Sequence, residues 1–554
     1  MNGIVLFVSL LALSNFAESE PGREFLPCGL EEASSIGDPR FDSVVIVGHK
    51  FADLYLNDTT EANLKTAILQ YIEHDKAANS TTPSAVVILV TKSLIPSGRL
   101  ILASTGKIDR DFDDVRRFED ATTAGIKRAI QAGSTAPLLL VQSSLRFRNA
   151  PLVSILAALG ALYTPLEVRE AQKAAGTPSD KCQRLGVYAN YPGEAIKLIE
   201  TAKGVEAGKS LARDICGSDP VRMTPPRVAE YVQRAFSDFS TVVDVHVISD
   251  QSQIERDYPL LAAVNRGSKN TPYFQARVIW MEYTGAGPIA ETVMLVGKGV
   301  TLDIGGLDIK TGGSMFSMSR DKCGSAAVAG FFKILDILKP RGIRAIGVMS
   351  MVRNNIGPDA YSCDEIITAR SGKRIRIVNT DAEGRCAMLD PLNEMKDKAL
   401  NETNPYIYTI ATLTGHARST VGEGYTIALD NGPAKQTNNA EQLQKAADQI
   451  GDMIEISTLR REDYDAHTSK TEYEDLVQSV VGSSTSHHRG HQKPTAFLLM
   501  GSGLSEHGTD SLRPIKYTHL DMAGAAYFNP YFPAAPPASP VAALSARHIL
   551  GRLQ

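Results

Sequence analysis

Cysteine is scarce and scattered in this 554-residue chain. Its six copies, Cys28, Cys182, Cys216, Cys323, Cys363 and Cys386, show no paired metal-module spacing, and domains of this size need no disulfide framework. Positive charge is not in surplus either: 58 Lys and Arg against 62 Asp and Glu leave a net charge of -4. That balance gives no basic field for a phosphate backbone and argues against nucleic-acid binding. Past the N-terminus no unbroken apolar stretch is long enough to span a bilayer, and no repeat or heptad is present. Gly204-Val205-Glu206-Ala207-Gly208-Lys209-Ser210 looks like a phosphate-binding loop, but its glycines are one residue too close and no apolar strand leads into it. It reads as helix.

What is present suits a two-domain α/β protein. The hydrophobic fraction of 43% is ample for sizeable cores. Short apolar runs at 44–47, 86–90 and 138–141 alternate with helical patterns such as 154–162, which predicts an N-terminal α/β domain over 24–193. A linking helix is expected over 194–216, and Pro225-Pro226 fits entry into the next helix. Runs at 293–296, 343–348, 375–378 and 407–413 then supply strands of a larger C-terminal domain over 217–554. The proline- and alanine-rich stretch 530–540 predicts an irregular segment before a last helix from Val541.

The chemistry concentrates in Asn379-Thr380-Asp381-Ala382-Glu383-Gly384-Arg385. In an extended backbone, side chains two apart point the same way, so Asp381, Glu383 and Arg385 are expected to converge. Carboxylates gathered in this way need a positive partner, and a divalent metal is the obvious one. Lys298 and Asp303 follow the apolar run at 293–296, Lys310 comes next, and Asp321 stands just before a helical pattern, as an N-cap or projecting from a helix start. Four acids, two lysines and an arginine are therefore expected in loops at strand ends, where open α/β sheets build active sites. Oxygen ligands of this kind suit Mg, Mn or Zn, and acids able to bridge suggest two ions. A lysine can join them only as the neutral amine.

Taken together, Lys298, Asp303, Lys310, Asp321, Asp381, Glu383 and Arg385, in Val-Gly-Lys-Gly, Asp-Ile-Gly-Gly, Asp-Lys-Cys-Gly and Asn-Thr-Asp-Ala-Glu-Gly-Arg, resemble the leucine aminopeptidase (cytosol aminopeptidase) family of dinuclear metallopeptidases. The likeness continues through Ala411-Thr412-Leu413-Thr414-Gly415 and His519-Leu520-Asp521-Met522-Ala523-Gly524, and covers the C-terminal three-fifths well. It implies a catalytic domain with a central mixed sheet flanked by helices, and an enzyme that removes N-terminal residues from peptides with a free N-terminus. One ion would be held by Asp303, Asp381 and Glu383, and the other by Lys298, Asp303, Asp321 and Glu383. The resemblance further implies that Lys310 stabilises the oxyanion, that Arg385 holds a bicarbonate proton shuttle for the metal-activated water, and that the chain forms a homohexamer. The ions expected are zinc or manganese, with magnesium or cobalt as further candidates. Ile304 stands where a serine is usual, Ser325 where an alanine is usual and Cys386 where a leucine is usual. The alternative expectation is a non-catalytic structural or storage oligomer that retains the fold.

Two features lie outside that likeness. Residues 4–13 form an apolar stretch of signal-peptide length, with Ala17 a tolerable cleavage position. With sequons at Asn57, Asn79 and Asn401, a signal peptide over 1–17 and secretory or extracellular location are expected, with a cytoplasmic location, usual for the resembled family, as the alternative. His487, His488 and His491 sit among serines and glycines and read as an exposed polar loop able to border the substrate entrance rather than as a metal cluster.

Overall fold

Alternate residues of the short apolar runs go to opposite faces, and this builds two sheets. The structure is a computed structural model, which describes residues 22–49, 51, 59–75, 84–189, 193–237, 242–526, 536 and 538–553. The expected signal peptide, the sequons at Asn57 and Asn79 and most of the stretch 530–540 lie outside the described residues.

The first sheet contains β1 (Gly29–Glu32), β2 (Ser43–Gly48), β3 (Ser84–Leu89), β4 (Arg99–Ser104), β5 (Pro137–Val141) and β6 (Arg184–Tyr188), in the order β1-β6-β5-β2-β4-β3. All neighbours are parallel except the edge pair β3 and β4. In β2, Val44 and Ile46 join Leu64 and Ile68 of the helix Thr59–His74 on one face, while Val45 and Val47 join Phe118 and Ile126 of the helix Arg116–Gln131 on the other. A sheet covered on both faces removes both sets from water, at about 1.5 to 3 kcal/mol per fully buried large side chain.

The second sheet begins with β7 (Val243–Ile248), β8 (Arg277–Thr284), β9 (Glu291–Asp303) and β10 (Ile343–Asn354). After β11 (Ile366–Thr368) and β12 (Arg374–Arg376) come β13 (Pro405–Ala411), β14 (Thr426–Asp430), β15 (Ile454–Ser457), β16 (Leu476–Val477) and β17 (Lys516–Asp521). The order is β15-β14-β17-β13-β9-β10-β8-β7, with β11, β12 and β16 forming a small separate sheet. At its centre β17, β13, β9 and β10 run parallel. Val293 and Leu295 face the helix Cys323–Leu338, and Met294 and Val296 face the helix Glu383–Ala399. The mixed sheet flanked by helices is the expected architecture.

The linking helix, Glu194–Gly217, packs on the helix Cys323–Leu338. Two glycines permit the approach: a Cβ on Gly208 would lie 2.4 Å from the Gly330 carbonyl oxygen, and one on Gly330 would lie 2.6 Å from that of Gly208. The same two helices carry a disulfide, Cys216 to Cys323, with Cα atoms 4.7 Å apart. Cysteine spacing gave no sign of this pair, because its members are 107 residues apart. The phosphate-loop look-alike lies inside the linking helix. Among the described residues no single helix is long and apolar enough to cross a membrane.

Candidate active site

The parallel strands deliver their C-terminal ends to one place. Asp303 ends β9, Asn354 ends β10, Thr412 follows β13 and Asp521 ends β17. Beside them lies a cavity of about 1030 Å³, whose lining includes all seven residues singled out in the sequence: Lys298, Asp303, Lys310, Asp321, Asp381, Glu383 and Arg385.

Three of them stand elsewhere than in strand-end loops. Lys298 is inside β9, between Gly297 and Gly299, and the segment 381–385 is not extended: Asp381 is in a turn, and Glu383 and Arg385 open the helix Glu383–Ala399. Side chains two apart on a helix do not share a face, so the convergence of the two acids comes from the turn before the helix. Gly384 is required there, since a Cβ would meet the Lys298 side chain at 2.4 to 2.6 Å. Asp321 caps no helix by its side chain. It lies between the short helix Met318–Arg320 and the helix start at Cys323.

Each lysine is set between two acids. Lys298 Nζ is 2.8 Å from Asp321 Oδ1 and 2.8 Å from Glu383 Oε1, and it donates to the Thr412 carbonyl at 3.1 Å. Lys310 Nζ is 2.9 Å from Asp303 Oδ2 and 2.5 Å from Asp381 Oδ1. Burial presses both ammonium groups down, yet the surrounding carboxylates outweigh it and hold them above the ordinary lysine value. The acids are crowded. Burial, with the charges of Asp303 and Glu383, pushes Asp381 up to about 7 against the pull of Lys310. Burial also lifts Asp321 well above the carboxylate range, despite Lys298.

Four carboxylates against two ammonium groups leave negative charge in a buried place. Asp303, Asp381 and Glu383 each offer an oxygen within 4.8 Å of the others, and Asp321 Oδ2 and Glu383 Oε2 are buried with no hydrogen-bond partner. Unsatisfied buried oxygens of this kind call for a cation. The residues present therefore fit a metal site.

Several residues that hold this arrangement escaped the sequence reading. Asn354 Nδ2 donates to Asp303 Oδ1 at 2.8 Å and to the Thr380 carbonyl at 3.1 Å, and Tyr361 Oη reaches the same carbonyl at 2.8 Å. Gln478 accepts from the amides of Val378 and Asn379 and donates to the carbonyls of Asn379 and Ala382. Asp308 accepts from the Thr380 amide at 2.7 Å. Asp521, which burial raises to about 6, accepts from Thr414 Oγ1 and the Leu413 amide. Every one of these bonds spans 19 residues or more, so no local spacing announces it.

The three departures from the family pattern are accommodated. Ile304 is buried, Ser325 Oγ donates to the Gly297 carbonyl at 2.8 Å, and Cys386 lies in the core beneath the helix start. Of the histidines, His487 lines the cavity. His491 is buried, with ring nitrogens 2.8 Å from His416 Nδ1 and 2.9 Å from Ser457 Oγ.

Fold and site together define the class: an α/β protein whose acid-rich centre, at the ends of parallel strands, is suited to a metal. The pattern of the catalytic domain of the cytosol aminopeptidase family matches residues 210–544. A Caenorhabditis elegans protein assigned as an aminopeptidase is 46% identical over 511 residues, covering 92% of this chain and 96% of that protein. A cytosol aminopeptidase assigned in Chlamydia muridarum is 28% identical over 347 residues, 62% of this chain and 64% of its own. Among solved structures, leucyl aminopeptidase from Trypanosoma brucei in complex with actinonin superposes with a TM-score of 0.76 at 20% identity, covering 94% of this chain and 95% of that one. Its complex with bestatin gives 0.74. These two likenesses are of fold. The chain belongs to the cytosol aminopeptidase family, and it is a peptidase.

Proposed function

We propose that this protein is a metalloaminopeptidase that uses two divalent ions per chain, zinc or manganese, to remove the first residue from peptides with a free N-terminus. The observation that carries the reading is the gathering of Lys298, Asp303, Lys310, Asp321, Asp381, Glu383 and Arg385 round one cavity, with buried carboxylate oxygens left unpartnered. Asp303, Asp381 and Glu383 would hold one ion, and Lys298, Asp303, Asp321 and Glu383 the other, with Lys298 giving up its proton. Bound there, the ions supply the Lewis acidity that makes hydroxide available near neutral pH and a seat for the substrate's α-amine.

The remaining work falls to the chain's own groups. Lys310, kept cationic by Asp303 and Asp381, opposes the negative charge that develops on the scissile carbonyl oxygen, a contact whose removal costs about 3 to 4 kcal/mol in comparable sites. Arg385, buried on the cavity wall with its Nε unpartnered, would hold bicarbonate, whose chemistry is proton transfer. An acidic pocket that seats an uncharged amine excludes acetylated N-termini. Assembly as a homohexamer is part of the same reading and is supported by family membership. Secretory entry is proposed as well, supported by the Cys216 to Cys323 disulfide and by exposure of Asn401 in the last sequon.

The test is release of leucine from a leucyl anilide or a leucyl dipeptide with manganese or zinc added, run beside Glu383→Ala and Lys310→Ala. Activity should vanish on chelation, return with metal at about two ions per chain, and fall by about 100-fold or more in each variant. Equal release by all three proteins would discard the assigned site.

A further inference from the structure

Outside the acid cluster, three of the four charged groups on the cavity wall are positive: Arg385, Arg418 and Lys493, against Asp308. The lining contains the acids Asp303, Asp308, Asp321, Asp381 and Glu383. Four of these form the cluster, and Asp308 is engaged by the Thr380 amide and the Cys363 thiol. Of the lining cations, Lys298 and Lys310 belong to the cluster and Arg418 pairs with Glu423. Two positive groups are left over, Arg385 and Lys493. Arg385 is buried and its Nε has no partner. Lys493 is half-buried, and among the described residues its ammonium meets neither a carboxylate nor a hydrogen-bond acceptor.

Nothing structural accounts for a lysine at that position. It is the second residue of the helix Gln492–Ser502, whose first turn holds no acid, and the dipole of a helix disfavours a cation at its start. Asp463, on the short helix Arg461–Asp465 packed against this one, is taken by Arg489 at 2.7 Å. The cavity therefore has an acidic end suited to an amine and a basic wall suited to an anion. A dipeptide carries both groups about 7 Å apart at full extension, and a cavity of about 1030 Å³ has room for it. A longer peptide would bring an uncharged amide to the same wall.

We propose that Lys493 recognises the terminal carboxylate of short peptides, so that dipeptides with a free C-terminus are the preferred substrate class. This rests on the aminopeptidase reading and narrows it. Lys493 is a specificity-determining residue and takes no part in bond cleavage. The carboxylate gains a charge-assisted hydrogen bond that an amide cannot match, an advantage of about 10-fold for a half-buried pair.

The experiment compares leucyl-glycine with leucyl-glycinamide, and binding of the reduced-bond analogues of both by calorimetry, in wild type, Lys493→Gln and Lys493→Arg. Thermal midpoints confirm that each variant is folded. The acid should be favoured about 10-fold in kcat/KM, chiefly through KM, and the preference should shrink at high salt. The ratio should collapse toward one in Lys493→Gln and largely return in Lys493→Arg. An equal preference in wild type and Lys493→Gln overturns the proposal, as does equal binding of acid and amide by wild type. Calorimetry keeps the two readings apart. If neither peptide is cleaved but the acid analogue still binds more tightly through Lys493, the aminopeptidase reading fails and the carboxylate site stands.

Discussion

The two sheets treat their acids in opposite ways. Around the first sheet three carboxylates have their donors in place, although burial raises Glu119 and Asp120 on the helix Arg116–Gln131: Asp38 is gripped by Arg40 at 2.7 Å, and Asp113 by Arg110 at 2.6 Å and Arg117 at 3.1 Å. Asp42 accepts from the amides of Thr135 and Ala136 and from Ser134. Hydrogen bonds from Arg40 and Arg110 hold Asp38 and Asp113 below the ordinary aspartate value, and Asp42 stays below it although burial pushes the other way. At the strand ends of the second sheet the acids face one another, and Asp321 and Asp381 are driven up instead. Acids with donors in place tie a fold together. Acids left in want of a cation mark the place where the fold serves something else.

The contrast breaks most sharply at Glu383. Glu383→Ala should lower kcat/KM by about 10³-fold, in the range expected for loss of a group that holds a catalytic ion, while leaving the metal-free protein's thermal midpoint unchanged or higher, because one of several crowded charges has gone. Asp113→Ala should do the reverse, costing about 1 to 2 kcal/mol after allowance for the exposure of Arg110 and leaving kcat alone. Assay and calorimetry on both variants decide it. A large drop in midpoint for Glu383→Ala, or a large drop in kcat for Asp113→Ala, would erase the distinction.

A second variant probes the border between the two kinds of residue. Asn354 is fully buried and joins Asp303 to the Thr380 carbonyl. It sits just past an irregularity in the β9 and β10 register, between Val352 and Asn354, and such bulges re-aim side chains. Asn354→Ala should weaken divalent-ion binding by about 10- to 100-fold, measured by competition with a chelator. Weakened folding with unchanged affinity would make Asn354 purely structural.

Much of the fold was legible in the sequence and rather less of the site's support. Apolar runs located β2, β3 and β5, the N-terminal part of β10 and the linking helix, because alternation and helical period are local signals. β1 and β6 were not singled out because charge or glycine interrupts their apolar residues, in Gly29-Leu30-Glu31-Glu32 and Arg184-Leu185-Gly186-Val187-Tyr188, and β4 was passed over although it is as long as β2 and β3. The seven cavity residues could be picked out through motif likeness, although the extended geometry expected for 381–385 is replaced by a turn and a helix start. The partners Asn354, Tyr361, Gln478 and Asp308 could not, and neither could the disulfide, since each depends on chain closure over long separations.

That disulfide concerns the helix pair between the two sheets. Closing a loop of 107 residues stabilises by about 4 to 5 kcal/mol in the chain-entropy view. Cys216→Ala with Cys323→Ala should therefore lower the midpoint by several degrees, and thiol titration of the denatured, unreduced protein should find four free groups, Cys28, Cys182, Cys363 and Cys386. Six thiols would show the bridge to be open.

The smallest effect is also the most direct test of the contrast, because pH should act on the two sheets with opposite sign. Asp38 and Asp113 have folded values below the ordinary one, so their contribution is complete above about pH 4 and is lost as pH falls through the folded values. Asp390, on the helix Glu383–Ala399, is buried and held by the amides of Leu260, Leu261 and Arg370. Burial raises it to about 6. Its contribution is present below about pH 4 and is lost as pH rises through 6, amounting to at most about 3 kcal/mol. Hydrogen exchange resolved by segment, at pH 7, 5 and 3.5, should show the helix Glu383–Ala399 better protected at 5 than at 7, and the first sheet less protected at 3.5 than at 5. Asp390→Asn should flatten the first change and Asp113→Asn reduce the second. Parallel movement of both regions across the whole range would mean that the acids of the two sheets differ in surroundings but not in what they do for the fold.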